Sequence, residues 1–123
     1  TEIYTLSLHD ALPISKLGPS WEGFAIESII GLHRVGPGNC YFWATHGGAE
    51  LDLLIFDRGR RVGYEIKHTD SPRMTRSLAI AQKDLTIDEM YVVYPGSEMF
   101  PLDERVQAVG LETLVRDKRD DSQ

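Results

Sequence analysis

Residues 40–68 carry three runs of strand-favouring side chains separated by two glycine turns, and this spacing constrains the fold more than any other feature of the chain. Residues 40–45 (CYFWAT) are rich in aromatics, and Gly47-Gly48 turns the chain into residues 51–56 (LDLLIF). Arg58-Gly59 turns it again into residues 62–68 (VGYEIKH), which alternate with period two. A three-stranded meander follows. A two-residue loop at Arg58-Gly59 also sets the register of the second hairpin: partners must then have residue numbers that sum to 117, which puts Asp52 opposite Glu65, whereas a three-residue loop would shift the register by one and separate the pair.

The flanking segments have helical and strand periods. Gly18-Pro19-Ser20 is a breaker cluster with Ser20 in N-cap position, and Trp21, Phe24, Ala25, Ser28, Ile29 and Leu32 then recur at the spacing of one helix face. After the meander, residues 69–72 break the pattern, and residues 75–85 form a second helix with Leu78, Ala81 and Leu85 on one stripe. Residues 90–94 (MYVVY) are a continuous apolar run closed by Pro95-Gly96, the signature of a buried parallel strand after a crossover helix. Residues 106–109 read as a weaker fifth strand. Residues 111–115 start a short helix, and residues 116–123 are a charged tail. The expected class is an α/β domain with a mixed central sheet flanked by helices.

At 123 residues, with 41% hydrophobic and 26% charged side chains, the chain has the composition of one globular domain. Cys40 is the single cysteine, which excludes an intrachain disulfide and fits a reducing cytoplasm. No apolar run reaches the roughly 18 residues of a membrane span. Thirteen basic against 19 acidic residues leave a net charge of -6, which argues against a protein that holds nucleic acid by bulk charge alone, and any basic surface must be local. Residues 1–14 (TEIYTLSLHDALPI) resemble the conceptual translation of a common short-read sequencing adapter, and the dangling base also fits Ser15. The expectation is that residues 1–15 are a non-native leader on a gene assembled from environmental reads, with the domain proper over residues 16–115.

Asp52 and Glu65, on opposed strand positions, would bring two like charges to ~4.5–5.5 Å between Cβ atoms, which calls for a compensating cation. Lys67, two residues beyond Glu65, projects from the same strand face, and Gly63 leaves room there. Two carboxylates from different strands beside an ammonium suit Mg²⁺ (or Mn²⁺), which takes one or two carboxylates, waters and a substrate phosphate. The bland reading of the same residues is a solvated hairpin face on which Lys67 screens two surface acids.

A helix with G-x-x-x-E, a strand with Asp, a strand with E-x-K, a helix and a strand together resemble the PD-(D/E)XK restriction-endonuclease-like superfamily. The segments KLGPSWEGFAIE, CYFWATHGGAELDLLI, YEIKHTDSPRMT and MYVVYPG are more closely similar to the nuclease-like domain of unknown function found C-terminal to an AAA-type ATPase module in many prokaryotic ATPases. The likeness covers about residues 16–114. It implies a restriction-endonuclease-like αβββαβ core. It further implies that Asp52 and Glu65 are metal ligands, Lys67 the catalytic lysine and Glu22 the supporting acid of the first helix. The implied partners are nucleic acid, DNA ahead of RNA, and an ATPase module missing from this chain. The implied activity is metal-dependent phosphodiester hydrolysis; the alternative is a nuclease-fold module without turnover that binds nucleic acid or a protein partner for the ATPase. The chain departs from the common pattern in having no proline before Asp52.

Residues 58–83 carry seven Lys or Arg against Glu65 and Asp70, a local +5 in an acidic chain. Within it Arg61, Arg73, Arg76 and Lys83 are the candidate phosphate contacts, Arg73 and Arg76 lying near the start of the second helix. The other readings are structural. Glu22 is preferred to Glu27 for the helix role, since ~140° separates the two around a helix. Trp21, Trp43 and Cys40 read as core residues, His68 as a strand-end histidine pointing away from Lys67, and His33 and His46 as residues at loop margins.

Overall fold

The structure, a computed structural model, describes the backbone of residues 3–7 and 20–121 and the side chains of residues 20–117 apart from residue 37. The elements are β1 (Ile3–Ser7), α1 (Trp21–His33), a short 3₁₀ turn (Pro37–Asn39), β2 (Cys40–Thr45), β3 (Glu50–Asp57), β4 (Arg60–Ile66), α2 (Arg76–Leu85), β5 (Glu89–Tyr94), β6 (Met99–Asp103), β7 (Val106–Gly110) and α3 (Leu111–Asp121). They form one mixed sheet of seven strands in the order β1-β2-β3-β4-β5-β7-β6.

The meander closes as the turn signals require. β2, β3 and β4 pair antiparallel, and the second hairpin has the expected register, with Leu53 against Tyr64 and Asp57 against Arg60. Arg58 and Gly59 both have positive φ, 55° and 79°, as the two-residue hairpin turn that matches strand twist demands. β5 lies inside the sheet, parallel to both β4 and β7. Its run of apolar residues follows from burial on both faces.

Alternation divides the core into two layers. Val62, Tyr64 and Ile66 of β4 face α1 and α3, packing with Ala25, Ile26, Ile29, Leu111 and Leu114. Trp43, Leu51, Leu54, Met90, Val92 and Val106 face Leu78 and Ala81 of α2. The starts of α1 and α2 are capped by side chains: Ser20 accepts from the Gly23 amide and Thr75 from the Leu78 amide.

Several expectations need correction. The buried stripe of α1 is Gly23, Ala25, Ile26, Ile29 and His33, and Phe24 is 61% exposed. This helix is apolar on most sides, so periodicity alone did not fix its orientation. The strand expected over 62–68 ends at Ile66, because Lys67 O is taken by the Thr69 amide in a tight turn. The space at Gly63 is filled: an added Cβ would lie 3.0 Å from Ile87 Cδ1 and 3.2 Å from Leu51 Cδ2. β6 was not expected; Pro101 lies within it, which is tolerated because β6 is an edge strand. The helix expected over 111–115 continues to Asp121. Of the expected leader, residues 3–7 pair antiparallel with β2 at the opposite sheet edge, and the rest lies outside the described residues.

Candidate functional site

The site forms where β3 and β4 meet the start of α1. One irregularity in β3 shapes it. Tyr41 of β2 pairs with Leu54 and Trp43 with Leu51, so β3 spends three residues where β2 spends two. The extra residue falls at Asp52-Leu53 and constitutes a β-bulge, a device that re-aims a side chain. Leu51 and Leu54 consequently enter the same core layer, while Leu53 enters the other. Asp52 is released from both and accepts a hydrogen bond from the Ile66 amide at 2.8 Å. This ties the carboxylate to the strand that carries Glu65.

Glu65 is 6% exposed, the one acid buried among the described residues. Burial first, then its hydrogen bond to Asp52 and the Asp52 negative charge, push its pKa up to about 9; the Lys67 ammonium opposes the shift. Lys67 Nζ stands 3.7 Å from Glu65 Oε2, on the side the alternation predicts, with nearly half of its side chain in solvent. The shift favours the protonated form of Glu65, since one half-solvated ammonium does not compensate two adjacent carboxylates.

These groups line a cavity of about 380 Å³ together with Ser20, Glu22 and Ile26 from α1 and its cap, Glu50 from β3 and Ile66. Of the two helix acids, Glu22 lies here. Glu27 lines a different and larger cavity of about 950 Å³ between α1 and α3, whose walls include Phe24, Leu32, Leu111, Glu112 and Val115. Among the described residues no group of three or more His, Cys, Asp or Glu side chains is close enough to enclose a metal ion. The donor set is thus two adjacent strand carboxylates, with Glu22 on the wall of the same cavity. That set fits a cation such as Mg²⁺ that keeps several waters.

The basic residues separate into two groups. Arg73 and Arg76 are exposed and follow the site along the chain, in the connection after Lys67 and the first turn of α2. Arg61 is four residues before Glu65, ~13 Å along β4. Its guanidinium donates to the Leu85 carbonyl at 2.7 Å and lies over the Phe56 ring, so it caps the end of α2. Lys83 belongs to the last turn of α2, at that same far end.

Sequence reasoning missed three features. Glu50 lines the cavity, and its period-two spacing from Asp52 was the available signal. His68, beyond the end of β4, stacks on Trp21 with ring centroids 5.5 Å apart and planes inclined by 20°. His33, the last residue of α1, stands at a loop margin as expected but is buried: Nδ1 lies 2.7 Å from Asp57 Oδ2 and Nε2 2.6 Å from the Tyr64 hydroxyl. Its spacing from Ile26 and Ile29 on the core stripe was the clue. Trp43 and Cys40 are core residues, as expected.

Comparison with known proteins adds a family but no activity. No solved structure matches the chain. It is 40% identical over 113 residues to an uncharacterized protein of Mycobacterium bovis and equally to one of Mycobacterium tuberculosis, covering 89% of this chain and 25% of each relative. The chain thus spans about a quarter of the length of the curated relatives it matches. No described helix is long and apolar enough to cross a membrane. Residues 17–114 match a family described as Domain of unknown function (DUF4143), and the chain belongs to it.

Proposed function

We propose that this domain is a divalent-metal-dependent nucleic-acid phosphodiesterase with a restriction-endonuclease-like core. The observation that carries the reading is the pairing of Asp52 and Glu65 across two strands, with Lys67 beside them and Glu22 on the same cavity wall. The order of helix, three antiparallel strands, helix and parallel strand supports the αβββαβ reading. Asp52 and Glu65 are the residues that would hold Mg²⁺ or Mn²⁺. When bound, such an ion polarises a phosphoryl oxygen and lowers the pKa of its water. Lys67 is the flexible cation of the site, exposed enough to reach a phosphate and placed to stabilise negative charge that develops on it. Glu22 holds negative potential at the mouth of α1, and Arg73 and Arg76 draw the polyanion towards the cavity.

The shortness of the chain relative to its mycobacterial relatives leaves room in those proteins for a further module, and we infer that the domain works beside an AAA-type ATPase. One observation favours a second reading. The raised pKa of Glu65 favours a proton in place of a cation, as a nuclease-fold module that binds without turnover would require.

Titration calorimetry with Mg²⁺ and Mn²⁺ decides between them, read together with hydrolysis of labelled DNA. The expected result is saturable metal binding that disappears in Asp52→Ala, accompanied by metal-dependent cleavage. Absence of metal affinity in the wild-type chain selects the non-catalytic module.

A further inference from the structure

We propose that the Trp21–His68 stack is a platform for an unpaired nucleobase, so that the substrate of this site is single-stranded; the inference rests on the phosphodiesterase reading above. The two rings are offset-stacked, 5.5 Å between centroids and 20° between planes. They are contributed by the immediate neighbours of the site's own residues. Trp21 precedes Glu22 and His68 follows Lys67, and both Glu22 and Lys67 line the acidic cavity. Trp21 itself lines the larger cavity between α1 and α3, and the stack is joined to the acidic cavity through the chain, one residue from the helix acid and one from the ammonium.

Its two members differ in a way that suits a platform. Trp21 is partly buried and packs against the core layer beneath α1, whereas His68 is exposed. The indole fixes the imidazole, and the imidazole presents a ring to solvent. An aromatic ring beside a phosphate-binding cation is the arrangement by which single strands are held: every base offers a π-face, worth roughly 1–3 kcal/mol per base stacked. A duplex keeps its bases stacked on one another and offers this ring nothing.

The test measures binding of fluorescein-labelled oligothymidylate and oligouridylate, and of a mixed-sequence duplex of equal length, by anisotropy in Ca²⁺-containing buffer, which offers the carboxylates a divalent ion without the Mg²⁺ or Mn²⁺ proposed for turnover. The intrinsic fluorescence of the 123-residue chain is followed in parallel. Because Trp43 is fully buried, quenching reports Trp21. The expected result is tighter binding of at least one single strand than of the duplex, with quenching. His68→Ala should weaken single-strand binding about tenfold, within the range for removal of one stacked ring, while duplex binding stays unchanged. His68→Tyr should restore it. Since His68 is exposed, its variants should melt as the wild type does. Duplex preference, or single-strand affinity indifferent to His68→Ala, overturns the platform and leaves the phosphodiesterase reading standing if Lys67→Ala weakens binding. No binding of any of the three probes overturns both.

Discussion

At the scale of single residues, Glu65 concentrates the physics of the site. A carboxyl whose folded pKa is raised to about 9 binds a proton that the unfolded chain has already released. Between the ordinary glutamate value of about 4.3 and that folded value, the native state holds the extra proton, so stability must fall as pH rises through this window. The slope is at most about 1.4 kcal/mol per pH unit. In metal-free buffer the melting temperature should therefore decline from pH 5 towards pH 9 (about the window set by these two pKa values), and Glu65→Gln, neutral throughout, should flatten the decline. A parallel decline in Glu65→Gln would show that the proton sits elsewhere. The position of Glu65 was legible from the turn alone, because a two-residue loop at Arg58-Gly59 leaves one register for its neighbours. Its burial was not, since the α1 wall and the β3 bulge that close the cavity depend on residues distant in the chain.

Among elements, α1 shows why a periodic pattern can be right about a helix and wrong about its face. Its apolar residues lie on most sides, and the orientation is decided by His33, which links the last turn of α1 to both strands of the hairpin. With Nδ1 protonated, the imidazole donates to Asp57 and accepts from the Tyr64 hydroxyl, so both ring nitrogens are satisfied. Burial pushes the Tyr64 phenol up, which keeps it a donor. Tyr64→Phe should leave the shape of the core intact but strand Nε2 without a partner, at a cost of about 1–3 kcal/mol. Urea unfolding should report this as a lower midpoint at unchanged slope. A change within about 0.5 kcal/mol, the usual range of a surface substitution, would mean that the hydrogen bond does not hold α1 in place. The elements that local signals did specify were those with local causes: the two capped helices and the meander with its glycine turns. β6 escaped because its pairing with β7 compensates for a proline that argues against a strand.

Over the whole molecule, the distribution of charge matters more than its sum. The excess of acidic residues coexists with a basic stretch over residues 58–83, but the fold does not deliver that stretch to one place. β4 runs from Arg60 towards the acidic cavity and α2 returns the chain to the far end of the sheet. Arg73 and Arg76 therefore stay near Lys67, whereas Arg61 and Lys83 are carried away, and Arg61 is already engaged with the end of α2. Proximity along the chain made these cations look equivalent; topology separates them into a pair that follows the cavity and a pair at the far end of α2. The consequence is measurable through salt. Each phosphate that is no longer neutralised by the protein reduces the slope of log K against log salt by about 0.7 for a single strand and 0.9 for a duplex. Arg73→Glu with Arg76→Glu should weaken nucleic-acid binding and lower that slope by the amount due to one or two phosphates, at unchanged melting temperature. Arg61→Glu should do the reverse, lowering the melting temperature by removing a cap of α2 while leaving the salt slope as it was. If Arg61→Glu instead flattens the slope, the polyanion runs along the hairpin towards its turn and not across the start of α2.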